Sequence, residues 1–165
     1  MAFRELKLPA GIAGRVYLHS MPGRARPFDL DRAEAERLRI TAVVRLTSNH
    51  ETEDRSPEYM DALRRGLIGW EDLHLPIPDY GIPGDMADFR LLLEGLLTRL
   101  REGERILIHC AAGIGRTGTM AAALLVGLGL DIEEAVRRVG AAGSHAEDLS
   151  QINFLRMIAG SGNAP

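Results

Sequence analysis

Short apolar runs alternate with longer stretches of mixed polarity along the first half of the chain. Val16 to Leu18 and Ala42 to Leu46 (AVVRL) are compact apolar runs with β-branched residues, bounded by turn-formers, a pattern that suits strands in a covered sheet. Between them, Asp31 to Arg39 sets charged and apolar residues at helical spacing. A second helix is predicted from Ser56 to Gly66, because Ser56, Pro57 and Glu58 supply an N-cap residue, a proline at the first helical position and an acidic first turn in that order. Trp70 to Ile77 reads as another strand. Pro76 to Pro83 (PIPDYGIP) is too rich in Pro and Gly for helix or strand and is predicted to be a loop.

In the second half, Phe89, Leu92, Leu93, Leu96, Leu97 and Leu100 recur at i, i+3, i+4 spacing, giving a long amphipathic helix over Asp85 to Arg101 closed by Gly103. Arg105 to His109 (RILIH) reads as a short buried strand. A glycine-punctuated turn follows, then an apolar helix from Thr117 to about Leu128, a helix opened by Asp131 and a last helix from Leu149 to Ile158. The alternation of strands and helices predicts an α/β fold: a single domain with a mostly parallel central sheet of about four to five strands flanked by helices on both faces. The domain is expected to span residues 1–159, with Gly160 to Pro165 a flexible tail.

Composition narrows the picture. At 165 residues and 45% hydrophobic content the chain can bury one sizeable core. A net charge of −3 and a pI near 6.0 lack the basic footprint that nucleic acid or an anionic membrane surface demands, so neither is an expected partner, and an anionic substrate must be caught locally. Nineteen of the twenty basic residues are Arg, which carries no functional weight alone. One cysteine excludes an internal disulfide and points to a reducing compartment. Met1 to Leu18 holds no signal-type apolar segment, and the longest apolar run, Met120 to Leu130, is too short to span a bilayer. A soluble, cytoplasmic protein is expected.

The candidate chemistry lies in His109-Cys-Ala-Ala-Gly-Ile-Gly-Arg-Thr-Gly118, between a buried strand and a helix. An Arg six places after the lone Cys arises by chance about one time in nine, but adding Gly113, Gly115 and Gly118 lowers that to the order of 10⁻⁴. Five residues between Cys110 and Arg116 let the chain close into a cup whose backbone amides (Ala111, Ala112, Gly113, Ile114, Gly115, Arg116) face one tetrahedral anion such as phosphate, sulfate or vanadate, provided Gly113 and Gly115 adopt positive φ. Arg116 offers a planar fork to two phosphoryl oxygens. The same amides and helix dipole favour a thiolate at Cys110 over a thiol of ordinary pKa ~8.5, making it a nucleophile. His109 is placed to brace the loop, and Thr117 to give a hydroxyl hydrogen bond to the sulfur as it leaves.

Other readings of the same residues are weaker. A lone cysteine ending a buried strand is ordinarily a small core residue. Gly113-x-Gly115-x-x-Gly118 formally matches a dinucleotide fingerprint, but no strand ending in an acidic residue follows. A Walker loop requires Lys where Arg116 stands. A redox or sulfur-transfer role lacks a second cysteine. A phospho-binding module without turnover, or a phosphatase for a small phosphate ester, remains an alternative.

The ten-residue segment resembles the signature loop of the protein tyrosine phosphatase superfamily, His-Cys-x5-Arg-Ser/Thr-Gly, and the length and order of elements are similar to its compact dual-specificity-like members. The resemblance implies a phosphotyrosine phosphatase-like fold and hydrolysis of phosphate monoesters, on phosphoproteins or small molecules, through a phosphocysteine, with no metal or other cofactor. It also implies a general-acid aspartate about 30 residues upstream. Asp79, 31 residues before Cys110, is the candidate; Asp72, in a predicted strand, and Asp85, opening a helix, suit the role less well. Gln151 is a candidate for orienting the hydrolytic water. Substrate contacts are expected from Thr47 to Arg55, with Arg24, Arg26, Arg45 and Tyr80 as candidates for the pocket rim. The aromatic clamp of the large tyrosine-specific enzymes has no clear counterpart, and the loop carries no Lys.

Overall fold

The computed structural model describes residues 2–161. It contains five strands, β1 (Arg4–Leu6), β2 (Arg15–His19), β3 (Ala42–Arg45), β4 (Glu71–His74) and β5 (Arg105–His109). Seven helices accompany them: α1 (Phe28–Arg37), α2 (Asn49–Arg55), α3 (Pro57–Arg64), α4 (Met86–Arg101), α5 (Gly115–Gly127), α6 (Ile132–Ala141) and α7 (Leu149–Ser161). Strand order is β1-β2-β5-β3-β4; only β1 runs antiparallel, against β2. The predicted α/β single domain with a mostly parallel sheet is therefore the observed one.

The period-two geometry of strands sorts the sheet's side chains into two cores. Val16, Leu18, Ala42, Val44, Ile106 and Ile108 face α4, α5, α6 and α7, meeting Phe89, Leu96, Leu124, Val139 and Phe154. Tyr17, Val43 and Leu107 face the other way, onto Phe28 and Ala35 of α1 and Tyr59 and Ala62 of α3. Each fully buried Leu or Ile contributes about 1.5–3 kcal/mol, so β5, with Ile106, Leu107 and Ile108 all at 0% exposure, is anchored in both cores.

Four parallel strands end at one edge, with His19, His109, Arg45 and His74 in a single register row. Ligands gather at that carboxyl edge in open α/β sheets, and the segments leaving these strands converge there.

Several elements differ from expectation. β1 is absent from the sequence reading because three residues show no periodicity. The helix α1 begins three residues earlier than predicted and ends at Arg37. Ser56 precedes α3 as expected, yet its hydroxyl makes no capping bond. Regular pairing in β4 stops at His74, although Leu75 and Ile77 still donate to the Arg45 and Leu46 carbonyls at 3.1 and 3.0 Å. Asp85 and Asp131 cap α4 and α6, each accepting backbone N–H bonds as the sequence implies. The helix α7 runs through Ser161, past the expected start of the tail, and the rest of that tail lies outside the described residues. Among the described residues no helix is long and apolar enough to cross a membrane.

Candidate active site

Cys110 follows β5 directly and is 2% exposed. The chain reverses at Gly113, whose φ of 74° disfavours any residue with a Cβ; a Cβ there would also stand 2.3 Å from the His19 carbonyl oxygen. Gly115 does not share the positive φ expected of it, because one left-handed residue completes the reversal and α5 starts at Gly115. A Cβ on Gly115 would instead meet the Glu147 carboxylate, and one on Gly118 would stand 2.5 Å from the His145 backbone nitrogen.

The carbonyls of this turn are tied down from outside. Cys110 O accepts from His109 Nδ1 at 3.1 Å, and Ala111 O from the Met21 amide at 3.0 Å and Arg24 Nη1 at 3.4 Å. Gly113 O accepts from Arg4 Nη2 and Ser144 Oγ, both at 2.7 Å, and Ile114 O from the Gly118 and His145 amides at 2.7 and 3.3 Å. A trans peptide carries its C=O and N–H on opposite sides, so anchoring these four oxygens turns the amides of Ala111, Ala112, Ile114 and Gly115 away from the outer partners. The Gly113 amide, which donates to Cys110 Sγ at 3.3 Å, shows that the inner side is the side of the sulfur. The N-cap position of α5 is Ile114, which has no side-chain acceptor, whereas α2, α4 and α6 are capped by Ser48, Asp85 and Asp131. First-turn amides of α5 and the positive end of its dipole therefore face the loop, an arrangement that attracts an anion.

His109 is completely buried, and desolvation pushes its pKa down to about 4. A carbonyl only accepts, so Nδ1 carries the proton donated to Cys110 O, and Nε2 accepts from the Tyr59 hydroxyl at 3.2 Å. Burial raises the Tyr59 pKa, keeping it a donor. The His109 ring thus bonds the loop at the Cys110 carbonyl and is itself held by Tyr59, a residue the sequence does not single out.

Arg116 is 2% exposed. Its Nη1 and Nη2 donate end-on to both oxygens of Glu51 at 2.8 Å, and Nη1 also reaches the Ile77 carbonyl at 3.1 Å. Nη2 stands 3.2 Å from Asp79 Oδ1. The planar fork expected to meet phosphoryl oxygens is occupied on its end by Glu51, and Nη2 also has Asp79 beside it, so Nε is the guanidinium nitrogen with no protein partner among the described residues. Glu51 belongs to α2, which the sequence reading missed because that segment is almost wholly polar. The signal was present: Ser48-x-x-Glu51 has the capping-box spacing, and the Ser48 hydroxyl does accept from the Glu51 amide. The Glu51 carboxylate has gone to Arg116 instead.

Hydrogen bonding from Arg116 holds the Glu51 carboxyl below its ordinary value of 4.5, against the desolvation that opposes it. The pair therefore adds stability that is present above the unfolded-state value and lost as pH falls through the lower folded value. Glu51→Gln is expected to lower stability by about 2 kcal/mol near neutral pH, with the deficit shrinking as the medium is acidified below the ordinary carboxylate range. Denaturant titration of both proteins across that range checks it; a deficit independent of pH counts against the pair.

The remaining candidates separate. Asp79 is 61% exposed by side chain and stands on the 76–83 loop beside Arg116. A cleft of about 350 Å³ lies between this loop and α2, lined by Ser48, Glu51, Pro76, Ile77, Pro78 and Asp79. Gln151 is fully buried, and its amide groups bridge the Gly81 carbonyl at 3.1 Å and the Glu147 amide at 2.8 Å. It ties the Asp79 loop to the segment before α7. The Thr117 hydroxyl is buried without a hydrogen-bond partner among the described residues. Of the rim candidates, Arg24 and Tyr80 are exposed. Arg26 is instead bound to Asp31 and Glu34. Arg45, 3% exposed, pairs with Asp72 at 2.8 Å and Asn49 at 2.9 Å, fastening α2 to the sheet. The sequence alone could not separate a buried arginine from a surface one.

Comparison with known proteins places this arrangement. The family model of the Swiss Army Knife protein, DSP-PTPase phosphatase domain, matches residues 16–161. Tyrosine-protein phosphatase 1 of Dictyostelium discoideum is 33% identical over 105 residues, 59% of this chain and 17% of that protein. Cyclin-dependent kinase inhibitor 3 of Rattus norvegicus is 36% identical over 106 residues, 61% of this chain and 48% of that protein. The chain thus spans less than half the length of these curated relatives. Among solved structures, kinase associated phosphatase with its catalytic-site cysteine changed to serine superposes with a TM-score of 0.84 at 24% identity, covering 100% of this chain and 97% of that one. Tk-PTP in its active form gives 0.70 at 33% identity, covering 89% and 92%.

Proposed function

The chain belongs to the DSP-PTPase phosphatase domain family of Swiss Army Knife type, and we propose that it hydrolyses phosphate monoesters, phosphotyrosine and phosphoserine or phosphothreonine on proteins among them, through a phosphocysteine at Cys110. The observation that carries this reading is the anchoring of four loop carbonyls outward, which turns the amides toward the Cys110 sulfur and forms a seat for a phosphoryl group.

In the first step Cys110 Sγ attacks phosphorus in line with the ester oxygen, and the P–O bond breaks. Loop amides and the Nε–Nη2 edge of Arg116 take the three non-bridging oxygens, whose charge grows in the transition state. Phosphoryl oxygens entering that edge displace Asp79 from Nη2, and the step proceeds from the form in which Asp79 has taken a proton from solvent, which it passes to the leaving oxygen, becoming a carboxylate. In the second step water attacks the phosphocysteine, Asp79 accepts the proton, and the P–S bond breaks with the electron pair returning to sulfur. The partnerless hydroxyl of Thr117 suits a donor that bonds the departing sulfur. Gln151 acts by holding the Gly81 carbonyl, and so the Asp79 loop, in place. The nucleophile is the chain's own sulfur, so the scheme calls on no metal-bound water, and a reducing compartment such as the cytoplasm suits it.

Aryl phosphate hydrolysis in EDTA, with vanadate as competitor, tests the reading. Turnover that persists in EDTA and falls with vanadate is expected; stoichiometric phosphopeptide binding without phosphate release would instead make the protein a binding module. Asp79→Asn is expected to lower kcat by about 10²–10⁴-fold with little change in KM. The loss should be smaller for nitrophenyl phosphate, whose leaving oxide needs little protonation, than for an alkyl phosphate. An equal effect on both esters would move the acid elsewhere.

A further inference from the structure

Arg4 lies in β1, ahead of the residues matched by the family model, yet its guanidinium reaches the loop 109 residues later. Nη2 donates to Gly113 O at 2.7 Å, while Nη1 donates to Ala142 O at 2.9 Å and Ser144 Oγ at 3.2 Å. Ser144, 0% exposed, passes the contact on, its hydroxyl donating to the same Gly113 O at 2.7 Å. The turn that wraps this guanidinium depends on Gly143: its φ is 80°, and a Cβ there would stand 2.7 Å from Arg4 Nη1.

Two donors, one charged, therefore converge on a single carbonyl, and that carbonyl belongs to the peptide whose other side is the Ile114 N–H. Gly113 does little to hold its own orientation, since glycine crosses between φ regions at little cost. A flip of the 113–114 peptide would turn a carbonyl oxygen toward the bound anion in place of an amide. Resting on the phosphatase reading above, we propose that Arg4, with Ser144, is a positioning residue that holds Gly113 O outward and thereby aims the Ile114 amide at the phosphoryl oxygens.

Tungstate affinity, measured by calorimetry, reads the loop without turnover. Arg4→Met is expected to weaken tungstate binding about tenfold, the scale of one hydrogen bond, and to lower kcat/KM by more, up to the roughly 10²–10³-fold of one lost oxyanion donor. Ser144→Ala should weaken it less. Because both residues share one acceptor, the double variant should fall short of the product of the single effects. Added guanidinium ion should restore part of the tungstate affinity in Arg4→Ala, which general loosening of the fold would not produce. Glu5→Gln, breaking the exposed pair with Arg15 on the same strand, should leave binding unchanged. Tungstate affinity in folded Arg4→Met within twofold of the parent would overturn the proposal. If that variant does not fold, Arg4→Lys decides, because one ammonium cannot serve Gly113 O and the Ala142–Ser144 turn together: about threefold weaker binding is expected, and parent affinity overturns it. A parent protein that binds tungstate but hydrolyses no ester sinks the phosphatase reading and leaves this one intact.

Discussion

Cys110→Ser is expected to cut phosphatase turnover by at least about 10⁴-fold while tungstate binding stays equal or tightens, by analogy with the loss seen when an enzyme's nucleophile is removed. The seat itself survives the change, since its amides are oriented by Arg4, Ser144, Met21, His109 and His145 from outside the loop. What is lost is the sulfur atom that attacks phosphorus in the proposed mechanism. A serine hydroxyl needs an adjacent base, and the imidazole of the preceding residue cannot serve: His109 Nδ1 donates to Cys110 O, and Nε2 accepts from Tyr59. Steady-state hydrolysis beside calorimetric titration separates the two effects. Full turnover by the serine variant would remove phosphocysteine from the mechanism.

Arg116→Lys is expected to lower kcat/KM by about 10³–10⁵-fold, the scale of an arginine that stabilises phosphoryl-transfer charge. Arginine performs two tasks at once here. Its end holds Glu51 through two parallel bonds, and in the proposed mechanism its Nε–Nη2 edge meets the phosphoryl oxygens in place of Asp79. Lysine places three protons on one nitrogen, so an ammonium that keeps Glu51 cannot also meet two phosphoryl oxygens in a plane. The ion pair would survive in weakened form, and the protein should remain folded. Circular dichroism alongside kinetics checks this; a folded variant retaining a tenth of parent activity would end the clamp assignment.

Long elements with a strong pattern were legible in the chain: the amphipathic α4, the buried β5, the caps at Asp85 and Asp131, and the α/β order. Elements that owe their existence to a few polar contacts were not. The helix α2 buries only Thr52 and is held by Arg45 through Asn49, so it carries no apolar stripe to find. The strand β1 exists because it pairs along β2. Within the site, the Cys110-to-Arg116 spacing and Gly113 could be read directly, since a turn of fixed length and one positive φ are local requirements. Gly118 was noticed for the motif, but its steric reason, the His145 backbone against α5, is tertiary.

Local chemistry written in adjacent residues determined where a cysteine, a reversal and an arginine stand together at a strand-to-helix junction. Only the tertiary structure decided what holds them: Glu51 on Arg116 across 65 residues, Tyr59 on His109 across 50, and Arg4 on Gly113 across 109. The physical reason is that each is a single polar side chain meeting a distant partner. Such contacts have no period in the chain, and they exist only once the sheet has brought its strand ends to one edge.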